Sequence, residues 1–433
     1  MKYIAFLCIC LCTVFVIGDG PTGFGGEKAD LRVGVARLDI TPVDPSGLNN
    51  LWEHPFKGIH DRIYARVIVL NNGESTAAIV AVDTVEFADA TPMVQRVAKE
   101  TGIPPANIIM AATHDHNSPM VSLANTGASR KAGPGAAAWI SKVENDLISG
   151  VRQAQANLRP GRVGVGYGKA YVNINRSERT ENGWIRGVNP DGPSDKTVWV
   201  VKFESASGEP IAFLINYAVH GVVMEPENDQ TTGDLPGATS RFVEQRYNDK
   251  VVALWTMGSA GDQNPVYMDW DTVTLKARKP GWDLVNTLGH MLGQEVVRVA
   301  ENIKQTSPQA RIWAAEKIVT CPGQKRDPEA RKRGEVKFLD SDPVSFRLGL
   351  LMINRIALAV VSGEVVTNIY WRLRRESPFT DTILVTLANG RIGYINDDAA
   401  YDRGDLEVAG TPLKRGCAEQ SIVSGFLELM EKY

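Results

Sequence analysis

Apolar and polar positions along the chain fall into two kinds of run. Short stretches rich in apolar and β-branched residues predict strands: "LRVGVARLDI" (31–40), "IYARVIVL" (63–70), "STAAIVAV" (75–82), "NIIMAAT" (107–113), "VWVVKFES" (198–205), "PIAFLINYAV" (210–219), "KVVALWTM" (250–257), "RIALAVVS" (355–362) and "DTILVTLA" (381–388). Between them, apolar residues recur at helical spacing near 93–101, 137–157, 236–248, 283–304 and 418–432. The mixture predicts an α/β fold with mixed β-sheets flanked by helices. No internal repeat, low-complexity tract or long linker interrupts it, so 21–433 reads as one domain. The stretch 268–345, broken by Pro, Lys and Arg clusters, reads as excursions over the surface.

Composition narrows the picture only a little. With 43% hydrophobic and 22% charged residues, the 433-residue chain can bury a sizeable core. A net charge of −3 and the lack of a polybasic block give no reason to expect nucleic acid or an anionic membrane surface as partner. No protein partner is expected either. The first twenty residues change more. "MKYIAFLCICLCTVFVIGDG" has one lysine and then an apolar run from Tyr3 to Ile17, the pattern of an export signal. That run is shorter than the roughly 18 residues a spanning helix needs, so 1–20 reads as a signal peptide rather than an anchor. The mature chain then begins near Asp19 or Pro21, carries no transmembrane span, and is secreted or periplasmic. Its cleavage leaves Cys321 and Cys417, which an exported protein could join as a disulfide or keep as two buried thiols.

Candidate chemistry gathers where strands end. "NIIMAATHDHNSPM" carries an apolar strand into His114 and His116, whose side chains point the same way if the chain stays extended. Another apolar strand runs to His220, and a third ends at Glu364 in "LAVVSGEVVTN". Imidazoles and a carboxylate at separate strand ends are what a catalytic zinc site requires, since its ligands must converge while one position stays open. A single strand-end histidine is more often a hydrogen-bonded loop residue; three of six histidines placed this way, with the glutamate, make the two readings even. Asp83 follows a further strand and reads as a residue that orients a ligand histidine. His60 could line a cleft or serve a structural hydrogen bond.

The stretches "VGVARLDITP", "GIHDRIYARVIVL", "THDHNSP", "NINRS", "NYAVHGVVM", "SAGDQNP", "SGE" and "GYINDDAAY" occur in this order. Together they resemble the catalytic domain of the neutral ceramidases, zinc-dependent amidases that cut the N-acyl bond of ceramide. The resemblance runs from about Val33 to the C-terminus. It implies zinc as cofactor, with His114, His220, Glu364 and Tyr394 as ligands, Tyr401 lying close enough to compete for the last place. It further implies substrate-facing roles for His116 and Arg176. An arginine suits an oxyanion and a histidine can hold a proton, although Arg176 in a polar loop could equally form an ion pair.

Where this resemblance places a catalytic serine in "GDQNP", the chain has Asn264, and Ser259 stands five residues earlier. An amide cannot attack. The expected mechanism therefore uses a water whose pKa a zinc ion lowers to roughly 7, with Asp262 and Asn264 orienting water or substrate by hydrogen bonds. The family's β-sandwich domain after the catalytic domain is not expected here, and the span from His220 to Glu364 is short. The function read from these residues is an exported zinc hydrolase acting on an amide or ester of a small-molecule or lipid substrate. A zinc enzyme of the same fold acting on a glycan, and a non-catalytic binding protein, compete with it.

Overall fold

The structure, a computed structural model, describes residues 29–121, 132–181, 183–224, 226–271, 276, 281–332 and 336–433. The leader read in residues 1–20 lies outside the described residues.

One succession of elements occurs three times. In the first, Arg32–Asp39, Tyr64–Asn71 and Thr76–Val82 run antiparallel in turn, helix Thr91–Thr101 crosses over, Ile108–Ala112 enters parallel to the third strand, and helix Ala136–Ala156 closes the unit. The second uses Arg159–Lys169, Thr197–Ser205, Pro210–Tyr217, helix Asp234–Arg246, Val252–Met257 and helix Trp282–Asn302 with the same pairings. The third uses Ile312–Arg326, Phe338–Ile353, Ile356–Val361, helix Thr367–Glu376, Asp381–Val385 and helix Ala418–Met430. The repetition is one of topology; the residues carry no matching repeat. The stretch expected to be surface excursions instead holds most of the third unit's long hairpin, where Ile312–Ile353 to Arg326–Phe338 pair in register apart from one bulge near Cys321.

The first two units share an eight-stranded mixed sheet, and the third forms a four-stranded sheet of its own. Ile68, Leu70, Ile79, Leu214 and Leu254 on one face of the large sheet pack with Leu351, Ile353, Leu358 and Ile383 of the small one. The other face of the large sheet is covered by the helices of units one and two, and the outer face of the small sheet by helices 367–376 and 418–430. The result is four layers: helices, sheet, sheet, helices. Strands buried on both faces need apolar residues throughout, which explains the continuous apolar runs.

This arrangement brings the carboxyl ends of the parallel strands of all three units to one place. Ala111 bridges to Ala388, Asp115 to Gly221, the Thr386 amide donates to the Met257 carbonyl (2.9 Å) and the Gly261 amide to the Val365 carbonyl (3.0 Å). Crevices at such strand ends are where open α/β sheets bind ligands.

Cys321 and Cys417 form a disulfide, so of the two alternatives the paired one is found. It ties the long hairpin to the last helix across 96 residues of chain. Closing so long a loop constrains the unfolded chain, and the bond is expected to contribute about 2 to 4 kcal/mol. Thermal unfolding with and without reductant, beside the Cys321→Ser/Cys417→Ser double variant, measures it. Equal midpoints for all three would contradict the expectation.

Candidate metal centre

His114 follows the strand Ile108–Ala112 in a left-handed conformation, with φ at 62°. Such a backbone costs a non-glycine residue roughly 1 to 2 kcal/mol and persists only where surrounding bonds enforce it. Here the His114 amide donates to the Thr84 carbonyl (3.0 Å), and the His116 amide to the Gly221 carbonyl (3.1 Å). The two imidazoles therefore meet through a turn, not through the pleat of an extended strand. Their Nε2 atoms are 3.1 Å apart. His220 lies just beyond the strand Pro210–Tyr217, and both its amide (3.2 Å) and its Nδ1 (2.9 Å) bond the Gln263 carbonyl. Glu364 opens a two-residue parallel pairing in which its direct partner is Tyr394.

The protonation pattern suits a cation. His114 Nδ1 bonds the Val85 carbonyl at 2.8 Å as His220 Nδ1 bonds that of Gln263. A carbonyl can only accept, so each ring carries its proton on Nδ1 and turns the Nε2 lone pair inward. Glu364 Oε2 is 3.5 Å from both Nε2 atoms and is buried without a hydrogen-bond partner. Burial, and then the Arg176 charge, holds the His220 pKa well below its ordinary value. Burial pushes the Glu364 carboxyl up, but His114, His220 and Arg391 outweigh it and hold the group well below the usual carboxylate range. Imidazole lone pairs turned toward an ionised carboxylate whose Oε2 has no hydrogen-bond partner are the donor set that zinc binds. His116 joins His114 and His220 in a cluster whose ligand atoms lie within 4.8 Å of one another.

Beside these donors, Arg176 is buried with Nη1 3.2 Å from His220 Nε2 and 3.2 Å from Asn264 Oδ1. Its guanidinium carbon lies 5.4 Å from the centre of the Tyr394 ring. Asn264 pairs with Ile174 where the short strand Gln263–Pro265 meets Asn173–Thr180, and its Nδ2 is buried without a partner. Gly261 shows why the preceding stretch is rich in glycine, since a Cβ there would meet the Glu364 carbonyl at 2.9 Å.

His114, His116, Arg176, His220, Asn264, Glu364 and Tyr394 all line one cavity of about 500 Å³. Asp262 does not. Its Oδ1 accepts from the Thr367 amide (3.1 Å) and hydroxyl (2.8 Å), and its Oδ2 from Asn175 Nδ2 (3.0 Å), tying the loop to helix 367–376. Burial, with the Glu407 charge, pushes its pKa up to about 7. Ser259 is fully buried and off the cavity wall. Of the two tyrosines, Tyr401 commits its hydroxyl to the Leu413 carbonyl (2.7 Å), whereas Tyr394 faces the cavity. Asp83 pairs with Arg66 (3.2 Å), which also holds Glu244 (2.9 Å), so the carboxylate expected to orient a histidine serves a buried ion-pair network; the Val85 carbonyl orients His114 instead. His60 stacks on Trp282 at 3.6 Å and pairs with Asp61 in a different cavity.

Several residues of the site carry no sequence signal of their own. Arg391 bridges Glu86 (2.6 Å) and Glu364 (3.3 Å), Trp52 and Trp270 form apolar walls, and Glu407 holds Arg176 Nε (2.8 Å). Only Arg391, three residues before Tyr394, could have been suspected from its neighbourhood.

The profile of the neutral/alkaline non-lysosomal ceramidase N-terminal region matches residues 31–271, more than half of the chain. The chain belongs to this ceramidase family. Among curated proteins it is 28% identical over 265 residues to the neutral ceramidase of Pseudomonas aeruginosa, a match covering 57% of this chain and 37% of that one. It is 25% identical over 248 residues to neutral ceramidase 1 of Arabidopsis thaliana, covering 51% and 30%. The chain thus spans about a third of the length of the curated relatives it matches. The crystal structure of the Pseudomonas aeruginosa enzyme superposes with a TM-score of 0.76 over 94% of this chain and 75% of that one, at 17% identity, which shows a shared fold.

Proposed function

We propose that this ceramidase-family chain is an exported zinc-dependent hydrolase that cleaves an amide or ester bond of an acylated substrate. The observation that carries the reading is the convergence of two inward-facing Nε2 atoms on a buried carboxylate oxygen without a partner, at the wall of a cavity that also holds a buried guanidinium. His114, His220 and Glu364 would hold the metal, with Tyr394 as fourth ligand. Zinc there supplies a Lewis acid that polarises an acyl carbonyl and acidifies water.

The chain's own residues supply the rest. Once the His220 Nε2 lone pair is given to a metal, the Arg176 Nη1 contact there is released, leaving that N–H to donate to a developing oxyanion, and being always charged the guanidinium needs no protonation step. Asn264 gives its Oδ1 to Arg176, which turns its Nδ2 donor toward the substrate oxygen. A buried donor without a partner costs about 1 to 3 kcal/mol, a cost relieved when substrate supplies the acceptor. His116, in contact with His114, holds and passes the proton the leaving group needs. Export is supported by the apolar run at the N-terminus and by the Cys321–Cys417 disulfide, a bond that persists in oxidising compartments. Among the described residues no helix is long and apolar enough to cross a membrane.

Turnover measured across ceramides, N-acyl amino acids and acetylated glycans tests the substrate class, and an acylated compound is expected to be cleaved. In that assay Asn264→Ala should lower kcat about two- to tenfold, the worth of one neutral hydrogen bond. Ser259→Ala should leave kcat unchanged. Cleavage confined to glycosidic bonds, or an acyl group trapped on Ser259, would contradict the reading.

A further inference from the structure

Every nitrogen of the Arg176 guanidinium is held. Nε donates to Glu407 Oε1 (2.8 Å) and Nη2 to the Gly261 carbonyl (2.8 Å), while Nη1 alone reaches His220 and Asn264. The other Glu407 oxygen accepts from the Ser177 hydroxyl (2.7 Å), so the carboxylate spans two consecutive residues of the strand Asn173–Thr180 and cannot follow the guanidinium if it turns. Glu407 is itself buried. It belongs to the tight turn Leu406–Gly410, which also supports Tyr394: a Cβ on Gly410 would meet the Tyr394 ring at 2.6 Å.

Arg176 has a competing attraction. Glu364 lines the same cavity with the opposite charge, and a guanidinium that turned onto it would occupy the place where a metal and a substrate oxygen would meet. A buried arginine goes to whichever carboxylate best satisfies it. Glu407 holds it instead, through a short charge-assisted bond from Nε to a carboxylate that Ser177 fixes on its other side.

We propose that Glu407 is the positioning residue for Arg176: it anchors the far edge of the guanidinium so that Nη1 alone faces the reacting centre. This rests on reading Arg176 as the oxyanion donor. Glu407 does not line the cavity, and its contact with the site's charged groups is the bond to Arg176 Nε.

The test compares four zinc-loaded proteins: wild type, Glu407→Gln, Arg176→Ala and the double variant. Two quantities are read, turnover of an acylated substrate and the affinity for acetohydroxamate, a small metal-binding anion whose oxygen would meet Arg176 on this reading. Glu407→Gln is expected to lower kcat and hydroxamate affinity about 10- to 100-fold, up to the cost of losing the oxyanion donor itself, with zinc content and KM unchanged. In the Arg176→Ala background the same substitution should cost less than about threefold, because residues acting through one another are not additive. Equal factors in both backgrounds overturn this inference alone. Unchanged turnover and hydroxamate binding in Arg176→Ala overturn the reading of Arg176 and the inference with it. Should no substrate be turned over, hydroxamate affinity decides by the same comparison. Glu407→Asp and Arg176→Lys replace any variant whose unfolding midpoint shows that it has not folded.

Discussion

His220→Ala is expected to strip the protein of most of its zinc and to abolish turnover, with the fold retained as judged by circular dichroism. The ring is fully buried, its Nδ1 is fixed by the Gln263 carbonyl, and its Nε2 stands 3.5 Å from Glu364. Alanine removes one of few donors and leaves Glu364 facing the site without one of its two imidazole neighbours. Losing a supporting residue of a zinc site costs roughly 10- to 100-fold in affinity, and losing a ligand should cost more. His114→Ala should behave alike. Tyr394→Phe should damage turnover more than zinc content, since the phenol is the weakest of the four donors. Elemental analysis of the purified variants checks each; full zinc occupancy in a His114→Ala/His220→Ala protein would remove the assignment.

Arg176→Ala is expected to lower turnover about a hundredfold or more, the usual cost of deleting an oxyanion donor. Part of its effect falls on stability, because Glu407 is then buried without its cation, a loss of roughly 3 to 5 kcal/mol. The two effects separate when kcat is measured well below the unfolding midpoint of the variant. Arg176→Lys sharpens the comparison. It keeps the charge but not the fork that reaches Glu407, Gly261 and Asn264 at once, so it should recover stability more than rate. A rise in KM with kcat intact would mean that Arg176 binds substrate and transition state equally and is not a selective oxyanion donor.

Much of the fold was legible because the strands of the parallel pairs are buried on both faces and so must be apolar throughout. The runs at 107–113, 210–219 and 250–257 end within a few residues of their observed limits at Ala112, Tyr217 and Met257. The strands Arg159–Lys169 and Asn173–Thr180 were not legible. The first carries four glycines, three of them where the helix Trp282–Asn302 and the segment after it crowd its backbone; a Cβ on Gly166 would meet Ile303 at 2.8 Å. The second is polar because its side chains build the site. The long hairpin Ile312–Ile353 was missed for a different reason: its outer half is solvated, and charged residues there mask the alternation.

For the site, strand-end histidines and the glutamate stood out by residue type and position. Tyr394 was visible only through family resemblance, as a half-buried tyrosine beside a turn has no local mark. Backbone groups such as the Val85 and Gln263 carbonyls, which set both imidazole tautomers, leave no trace in side-chain identity. Asp262 misled because an acid between glycines and amides looks poised for chemistry, yet here it secures the loop from behind.

The central claim is that this cavity is a metal-dependent hydrolytic site. Its most direct test takes the purified protein, counts its zinc by elemental analysis, and follows hydrolysis of an acylated substrate before chelation, after chelation and after zinc is restored. About one zinc per chain, loss of activity on chelation and recovery on reloading are the results expected. Activity that survives complete removal of the metal would contradict the account.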